Sequence, residues 1–248
     1  MFWKEAFLNL ASFQKLDAMS KALTEFKRYL FEVLAIITAI TLSFLFDEWR
    51  EKRKDRRTNV ELLSSLADDL KKDTFLLGQT IQFQKQVVAG EKHILRSADS
   101  LKADSVTLGM LGLQSYPTFR KTDVSYLTMI QTGNARVFTN KQLLDQITDL
   151  YQKQYKILDE WEEIERNFVL DKAIPYIITN IPHVRNYQYG SLVNNNPKFS
   201  AVLAKDEFKN LLNSDYLFKV TMIELYKSTQ KSADSLLRNV DAEIKKLR

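Results

Sequence analysis

The sequence has no cysteine, only two histidines, and few glycines and prolines. The absence of cysteine excludes disulfides, thiolate nucleophiles and sulfur-rich metal sites. His93 and His183 lie near no spaced set of carboxylates in the sequence, so we expect neither a zinc nor a di-iron site. A chain that is poor in glycine and proline and rich in leucine, lysine and glutamate is typical of a mainly helical protein.

A strong charge of one sign is also missing. The formal net charge is only +5, and the basic residues do not form the clustered, aromatic-interleaved face that nucleic-acid binding requires. The sequence therefore predicts no nucleic-acid partner. Its basic residues concentrate instead beside an apolar run.

Residues 29–46 form this apolar run of 18 residues, and its only charge is Glu32, near the start. A helix rises about 1.5 Å per residue, so the run spans roughly 27 Å, close to the thickness of a bilayer's hydrocarbon core. Tyr29 and Trp49 lie at its two ends, where amphipathic rings suit the headgroup level. A basic flank follows: Arg50, Lys52, Arg53, Lys54, Arg56 and Arg57. We therefore predict one transmembrane helix in a lipid bilayer.

Two other interpretations of the run are weaker. The buried helix of a soluble bundle rarely continues for this length without a polar stripe. A cleavable export signal requires a small-residue cleavage site, but Asp47 and Glu48 follow the run directly, and the segment before the run is too long. A retained membrane span is the favoured interpretation.

Small and polar residues recur along one face of the predicted span, at steps of three and four residues. This face consists of Glu32, Ala35, Ala39, Ser43 and Asp47. Small residues four apart allow two helices to approach closely in lipid, which predicts a homo-oligomer. Two roles for Glu32 stay open: it lines a polar seam between helices, or it lies near enough to the interface to reach water.

The orientation of the span is not set by charge alone, because basic residues are nearly equal in number on its two sides. Residues 1–28 mix aromatic and aliphatic residues with lysines, which predicts an amphipathic helix lying on the cytoplasmic leaflet. We therefore expect the N-terminus inside and a large C-terminal domain outside.

The remainder of the chain has helical periodicity, and no stretch of it demands a sheet. No breaker separates the span from residues 47–103, which we expect to form stalk helices. Residues 104–248 are predicted to form a helical bundle domain. The predicted fold class is all-α: an N-terminal amphipathic helix, one transmembrane helix continuing into a stalk, and an antiparallel helical bundle.

Local signals predict where these helices begin and end. The predicted features are a permitted break at Gly90, a loop over residues 107–119, a short helix from Thr122 or Asp123 to Gly133, a helix capped by Thr139 or Asn140, helix ends at Pro175 and Pro182, an exposed loop over residues 186–200, a short helix at DEFKNLL (residues 206–212), and a last long helix from Ser214.

Candidate catalytic groups are scarce. Acidic residues crowd the stretch around Trp161, but successive helical residues point in different directions, so we interpret the stretch as a solvated face. These residues are Asp159, Glu160, Glu162, Glu163 and Glu165. Four tyrosines, Tyr151, Tyr155, Tyr187 and Tyr189, suit bundle packing better than a ligand pocket. We predict no enzyme activity and no catalytic, cofactor-binding or metal-binding residues.

Two motifs resemble an uncharacterised family of single-span bacterial membrane proteins, largely from Bacteroidetes. The first is Glu32, the apolar run and Trp49, where the family has Gly-Glu before the span and Asn-Asn-Trp-Asn-Glu after it; Asp69 and Asp73 resemble its following Leu-Asp pattern. The second is YLTMIQTGNARVFTNKQLLDQITDLYQ, residues 126–152, which is similar to the family's helix, Ser/Thr-Gly-Asn turn and second helix. The resemblance covers roughly residues 27–155.

The resemblance implies a bacterial inner-membrane protein with a helical domain, and with the orientation above that domain is periplasmic. It implies no activity, because the family is a domain of unknown function. The chain departs from the family at Phe31 and Ala39, where the family has glycines, and at Asp47 and Glu48, where it has two asparagines. The close helix packing that the mid-span glycine permits is therefore not implied here.

Two functional hypotheses follow from the sequence. The first is a membrane-anchored helical interaction or sensory protein of unknown biochemical activity, homo-oligomeric through its span and able to join a protein partner in a membrane complex. The alternative is a subunit of an oligomeric ion channel or transport complex, in which Glu32 faces a polar seam.

Overall fold

The computed structural model describes residues 2–96, 101–116, 118–182, 184 and 188–248, and the side chains of these residues from Tyr29 onward except Val137. Every regular element in these ranges is helical, which confirms the predicted all-α class. The α-helices are α1 (Phe2–Arg96), α2 (Ala103–Gly112), α3 (Val124–Gln131), α4 (Lys141–Asp149), α5 (Tyr155–Phe168), α6 (Ile174–Asn180), α7 (Pro197–Ala204) and α8 (Asp206–Leu247). The shorter described elements are 3-10 turns at Asn134–Val137 and Tyr189–Leu192 and π turns at Leu150–Gln154 and Val169–Ala173.

Contacts divide the chain into two units, Met1–Arg57 and Thr58–Arg248, which we call the N-terminal unit and the C-terminal unit. Helix α1 contributes residues to both. It has no break after the apolar run, so the expected continuation of that helix is confirmed. The boundaries predicted for the span, the stalk and the bundle domain stay predictions.

The described part of the N-terminal unit is an exposed apolar helix. Every side chain from Tyr29 to Phe46 is exposed. An 18-residue window here has a mean hydropathy of 2.1, with none of it buried. Among the described residues, this is the one helix that is long and apolar enough to cross a membrane. The predicted amphipathic face of residues 1–28 lies outside the described side chains.

Two threonines inside the run satisfy their own hydroxyls. Thr38 Oγ1 donates to the carbonyl of Leu34 at 2.7 Å, and Thr41 Oγ1 donates to the carbonyl of Ile37 at 2.8 Å. A hydroxyl that bonds to its own helix backbone needs no water, so these residues add little to the cost of entering lipid.

Three long helical stretches frame the C-terminal unit: residues 58–96 of α1, the run from α4 to α6, and α8. Helix α8 is antiparallel to the α4–α6 run. Asn140, at the start of that run, bonds to Glu243 near the end of α8, whereas Glu165, farther along it, bonds to Lys219 nearer the start of α8. Contacts between α1 and α8 follow the same antiparallel order.

The interior of the C-terminal unit contains two apolar cores. The first is built from α1, α3, α4, α5 and the later part of α8, with members such as Leu70, Leu77, Ile147, Tyr155 and Tyr226. The second is built from the end of α1, α2, α6, α7 and the start of α8, with members such as Ile94, Met110, Ile177, Phe199 and Phe208. Each fully buried side chain of this size contributes about 1.5–3 kcal/mol to folding. Helices α1 and α8 pass from one core to the other.

Glycines bring α1 and α2 into close contact. The break that Gly90 permits does not occur, because α1 continues to Arg96. The loop expected over residues 107–119 is wrong where α2 extends to Gly112. A Cβ atom at Gly90 would lie 2.5 Å from the backbone nitrogen of Gly109 and 2.7 Å from the carbonyl oxygen of Ser105. These glycines therefore allow helix-on-helix packing rather than a turn.

We expect Gly90→Ala to lower the free energy of unfolding, because the new methyl group would meet the backbone of α2. Overpacking of this kind costs about 1–3 kcal/mol, which exceeds the roughly 1 kcal/mol that alanine gains over glycine within a helix. Gly78→Ala on the same helix is the matched control, since its methyl group would meet the flexible end of Gln230, at 3.1 Å. Equal urea midpoints for the two variants would contradict the close contact between α1 and α2.

The expected helix end at Pro175 is also wrong. Pro175 lies in the first turn of α6, directly after the π turn at Val169–Ala173, and the helix continues to Asn180. Proline is tolerated in the first turn of a helix, where the N–H that it lacks is not needed. Pro182 does follow the end of α6, as expected.

The predicted exposed loop over residues 186–200 is wrong over most of its described part; residues 186 and 187 lie outside the described residues. Tyr189 is buried in a 3-10 turn, and α7 begins at Pro197. Tyr189 Oη donates to Gln114 Oε1 at 3.0 Å, which fastens this turn to the segment after α2. Helix α8 begins at Asp206, so the two helices predicted before and after Ser214 are a single helix.

The predicted signals around α3 and α4 are confirmed in position. Gly133 follows α3 with a left-handed φ of 69°, a conformation that glycine adopts without strain. Asn140 caps α4, and its Oδ1 accepts from the backbone N–H of Leu143 at 3.1 Å. Asp123 occupies the N-cap position of α3, but its side chain makes no capping hydrogen bond.

Candidate functional site

A layer of buried polar side chains lies between the two cores of the C-terminal unit. It consists of Gln84 and Glu91 on α1, Glu165 on α5, and Asp215 and Lys219 on α8, and we call it the polar layer. All five residues have 0% of their surface exposed. Charged side chains are almost never fully buried unless they are paired, so this layer is the candidate functional site.

Lys219 is the centre of the hydrogen bonds in the polar layer. Its Nζ donates to Asp215 Oδ1 at 2.9 Å and to Glu165 Oε1 at 3.0 Å. It also donates to the backbone carbonyl of Ser115 at 3.3 Å, so all three N–H groups of the ammonium are used. Burial alone would lower the pKa of Lys219, but the neighbouring carboxylates, Asp215 foremost, outweigh it and raise the pKa. Lys219 is therefore a buried cation at neutral pH.

The carboxylates of the polar layer outnumber its cation. Both oxygens of Glu91, one oxygen of Glu165 and one of Asp215 make no hydrogen bond to any described protein atom. With three ionised carboxylates and one ammonium, the layer would hold a net charge of −2 in the interior. Burying charge that is not compensated costs several kcal/mol per ion, so this ionisation state is unfavourable.

The environment of Glu91 favours its neutral form. Burial raises the pKa of Glu91 well above its usual range; the charge of Asp215 raises it further, and Lys219 opposes the shift. The side chain of Asp215 lies close to Glu91, and two carboxyl groups can form a hydrogen bond with each other only when one of them carries a proton. Burial raises the pKa of Glu165 too, but the Lys219 ammonium at 3.0 Å opposes the change.

A second group of buried carboxylates fixes the segment that links α2 to α3. Three backbone N–H groups donate to them: Ser125 to Asp69 Oδ2 at 3.0 Å, Thr122 to Asp73 Oδ1 at 2.8 Å, and Phe119 to Glu162 Oε1 at 2.7 Å. Asp69 and Asp73 come from α1, so carboxylates of another helix satisfy N–H groups at the start of α3. Asp69 and Asp73 therefore have a structural role, whereas in the sequence they stood out only through the resemblance to a family.

Tyrosine hydroxyls complete this second group. Tyr155 Oη donates to Asp73 Oδ2 at 2.7 Å, and Tyr226 Oη donates to Glu162 Oε1 at 2.6 Å. Burial raises the pKa of both carboxyl groups, and these hydrogen bonds oppose the shift. Burial also raises the pKa of both tyrosines, so they remain neutral donors. The hydrogen bonds of this arrangement join α1, α5 and α8 to one another and to the segment between α2 and α3, which indicates a role in stability.

The tyrosines considered in the sequence lie inside the bundle where they are described. Tyr151, Tyr155 and Tyr189 are buried, and Tyr187 lies outside the described residues. Tyr151 stacks on Tyr126 with ring centroids 4.6 Å apart, and it donates a hydrogen bond to the carbonyl of Thr122 at 3.2 Å. These contacts are those of bundle packing.

The interpretation of the acidic stretch around Trp161 as a solvated face is wrong for two of its members. Asp159, Glu160 and Glu163 are exposed, but Glu162 and Glu165 are buried. Both glutamates follow the helical spacing of the apolar face of α5. This spacing was the signal in the sequence that they would be buried. A charge in phase with an apolar face must find a partner inside the fold.

The site residues predicted from the sequence all lie in the N-terminal unit. The face of Glu32, Ala35, Ala39, Ser43 and Asp47, the ring anchors Tyr29 and Trp49, and the basic flank Arg50, Lys52, Arg53, Lys54, Arg56 and Arg57 are all exposed along α1. The guanidinium of Arg53 lies 5.5 Å from the centroid of the Trp49 ring, a cation–π contact. None of these residues belongs to the polar layer, which was not predicted from the sequence.

The carboxylates do not form a metal centre in the described residues. No group of three or more His, Asp or Glu side chains in the described part of the chain is arranged to hold a metal ion. The predicted absence of metals, cofactors and catalytic residues stays a prediction. The polar layer holds buried charge, and burial raises the pKa of two of its carboxyl groups, Glu91 and Glu165.

These features define an all-α protein with one apolar helix suited to a membrane and a helical unit with a polar layer between two cores. The chain belongs to DUF6090, a family of unknown function whose sequence model matches residues 31–171. The match begins within the apolar run and includes Gln84, Glu91 and Glu165, but it ends before α8. The finer signature around Trp49 stays a prediction. Comparisons with curated proteins and with solved structures give no match.

Proposed function

We propose that this protein is a single-pass protein of the bacterial inner membrane, and that its C-terminal unit is an interaction or sensory module rather than an enzyme. The observation that carries the proposal is the exposure of all 18 side chains of residues 29–46. Water-soluble surfaces rarely expose an apolar patch of this extent, whereas a bilayer covers it. The C-terminal unit, by contrast, buries its own apolar side chains in two cores.

The energy of insertion supports membrane anchoring. Eleven Leu, Ile, Phe and Val residues lie in the run, and each favours insertion by about 0.3–0.6 kcal/mol, so together they contribute roughly 3–7 kcal/mol. A charge at the centre of a span costs about 2.5–3.5 kcal/mol, and Glu32 lies near one end, where the cost is lower. The apolar contribution therefore exceeds the cost of the single carboxylate.

Self-association through the span is the second part of the proposal. Ala35, Ala39 and Ser43 lie four residues apart on one face of the exposed helix, and small side chains let two helix backbones approach closely in lipid. A homo-oligomer would bring several copies of the C-terminal unit to one place on the membrane. Such an arrangement suits a module that binds a partner protein.

Cysteine cross-linking in membranes tests the self-association, because the natural chain has no cysteine to create a background. We expect Ala39→Cys to form a disulfide-linked dimer on mild oxidation. Ile37→Cys is the matched control, since position 37 lies about 200° around the helix from position 39. Equal cross-linking at both positions, or at neither, would contradict packing through the small-residue face.

Labelling of a single cysteine tests the proposed orientation. Ser228 is exposed on α8, so Ser228→Cys offers a thiol in the C-terminal unit without disturbing a core. We expect a membrane-impermeant maleimide to label this variant in intact spheroplasts. Labelling that occurs only after the membrane is permeabilised would place the C-terminal unit in the cytoplasm.

A further inference from the structure

The acceptors around Glu91 are not matched by donors. Glu91 is fully buried, and neither of its carboxylate oxygens meets a donor among the described protein atoms. Its neighbour Asp215 uses Oδ1 for Lys219 and leaves Oδ2 without a partner. Lys219 has no further N–H group to offer, because its three donors are already engaged. The side-chain amide of Gln84, the other donor of the polar layer, faces Glu165. Glu91 and Oδ2 of Asp215 therefore still lack a hydrogen-bond donor.

We propose that Glu91 and Asp215 share one proton in the folded chain at neutral pH, and that the polar layer is therefore a proton-binding site. The proton is taken from solvent on folding and forms an O–H bond at one carboxyl group, which then donates to the other. It supplies the missing donor and reduces the net charge of the layer from −2 to −1, counting Glu165 as ionised beside Lys219. Adjacent carboxyl groups ionise one at a time for the same electrostatic reason.

The groups that face Glu91 support this assignment. Helix α8 presents Asp215 and Lys219, and α5 presents Glu165. Helix α2 presents backbone, because a Cβ atom at Gly112 would lie 2.5 Å from Glu91 Oε1. The only cation among these groups is already bound to the other two carboxylates, so it does not compensate Glu91. A proton is the smallest cation that this closely packed place can accept.

Loss of the shared proton would weaken the packing of α2 on α1. The Glu91 carboxyl lies directly against Gly112, so ionisation would place a second uncompensated charge at this contact. The unfolded chain releases this proton near the ordinary glutamate pKa of 4.5, whereas the folded chain keeps it to higher pH. The folded state therefore binds more protons in this window, and stability falls as the pH rises through it.

Infrared spectroscopy of the full-length chain in mild detergent tests the proposal directly. At neutral pH we expect a C=O stretching band from a protonated carboxyl group that disappears in Glu91→Gln. Glu160→Gln, an exposed glutamate of α5, is the matched control and should leave the band unchanged. The absence of the band in the natural chain, or its persistence in Glu91→Gln, would overturn the proposal.

Thermal unfolding provides a readout that does not depend on one variant. As the pH rises above the ordinary glutamate pKa of 4.5, we expect Tm of the natural chain to fall more steeply than Tm of Glu91→Gln, by a linkage of about one proton. Asp215→Asn, a second variant, should also lose the infrared band.

Parallel pH profiles of the natural chain and Glu91→Gln would contradict a shared proton. So would an EDTA-reversible rise in Tm with a divalent cation, since a metal ion would then compensate the carboxylates. These outcomes do not depend on membrane anchoring.

Discussion

Lys219→Met is expected to lower the free energy of unfolding by about 3–5 kcal/mol, because it leaves buried carboxylates without their cation. Methionine has nearly the length of lysine, so the loss would come from charge and hydrogen bonding rather than from a cavity. Lys219 bonds at 2.9 Å and 3.0 Å to Asp215 and Glu165, both fully buried. Urea unfolding monitored by circular dichroism would measure the loss. The loss should be smaller at acidic pH, because burial raises the pKa of Glu165 and this carboxyl group can then take up a proton.

Lys227→Met on the same helix is the matched control. Lys227 bonds to Glu224 at 2.6 Å, a shorter distance than either bond of Lys219, but both partners are largely exposed. Exposed ion pairs contribute only about 0–1 kcal/mol, because water screens the charges and ordering two long side chains costs entropy. Similar losses for the two variants would show that burial does not set the contribution of Lys219.

The double substitution Ile37→Lys and Ile40→Lys is expected to release the chain from the membrane. Each lysine at the centre of a span costs about 2.5–3.5 kcal/mol, so two of them cost roughly 5–7 kcal/mol and offset most or all of the insertion energy of the apolar run. In water the same substitutions would be harmless, because both isoleucines are exposed, at 54% and 52%. Fractionation of cells that produce the variant would measure its distribution between membrane and soluble fractions.

Phe75→Lys provides the control for this experiment. Phe75 lies on α1 as well and is 65% exposed, but it belongs to the C-terminal unit. Its replacement removes an exposed apolar side chain without touching the apolar run, so membrane association should not change. A double lysine variant that remains membrane-bound to the same extent as Phe75→Lys would contradict insertion of residues 29–46.

The helical class was predictable from the sequence because its signals are local. A chain with few breakers, an 18-residue apolar run and caps such as Asn140 specifies helices through backbone preferences and periodicity. The errors also have a local cause. Gly90 and Gly109 resemble helix breakers in the sequence, but they serve close packing of two helices that are brought together by tertiary structure. The helix end predicted at Pro175 is wrong because the helix continues through a π turn before this proline, and the periodicity of the sequence does not reveal that turn.

The polar layer was not predicted because a charged residue looks the same in sequence whether its partner is water or another helix. Asp215 and Lys219 continue the spacing of the apolar face of α8, which includes Leu212, Met222 and Tyr226. Charges in phase with an apolar face were the available signal. Their partners lie on α1 and α5, more than fifty residues away in the chain, and only the fold brings them together. Which hydrogen-bond donors are engaged, and which carboxylate oxygens lack a partner, is visible only in the three-dimensional structure.

Alkaline carbonate extraction of membranes from cells producing the full-length natural chain tests membrane anchoring most directly. High pH strips proteins held at the surface by charge, whereas a spanning helix stays in lipid because its apolar side chains would otherwise meet water. Anchoring predicts that the chain remains in the membrane pellet and enters solution only with detergent. A chain that appears in the carbonate supernatant, monodisperse without detergent, would contradict the assignment of residues 29–46 to the bilayer.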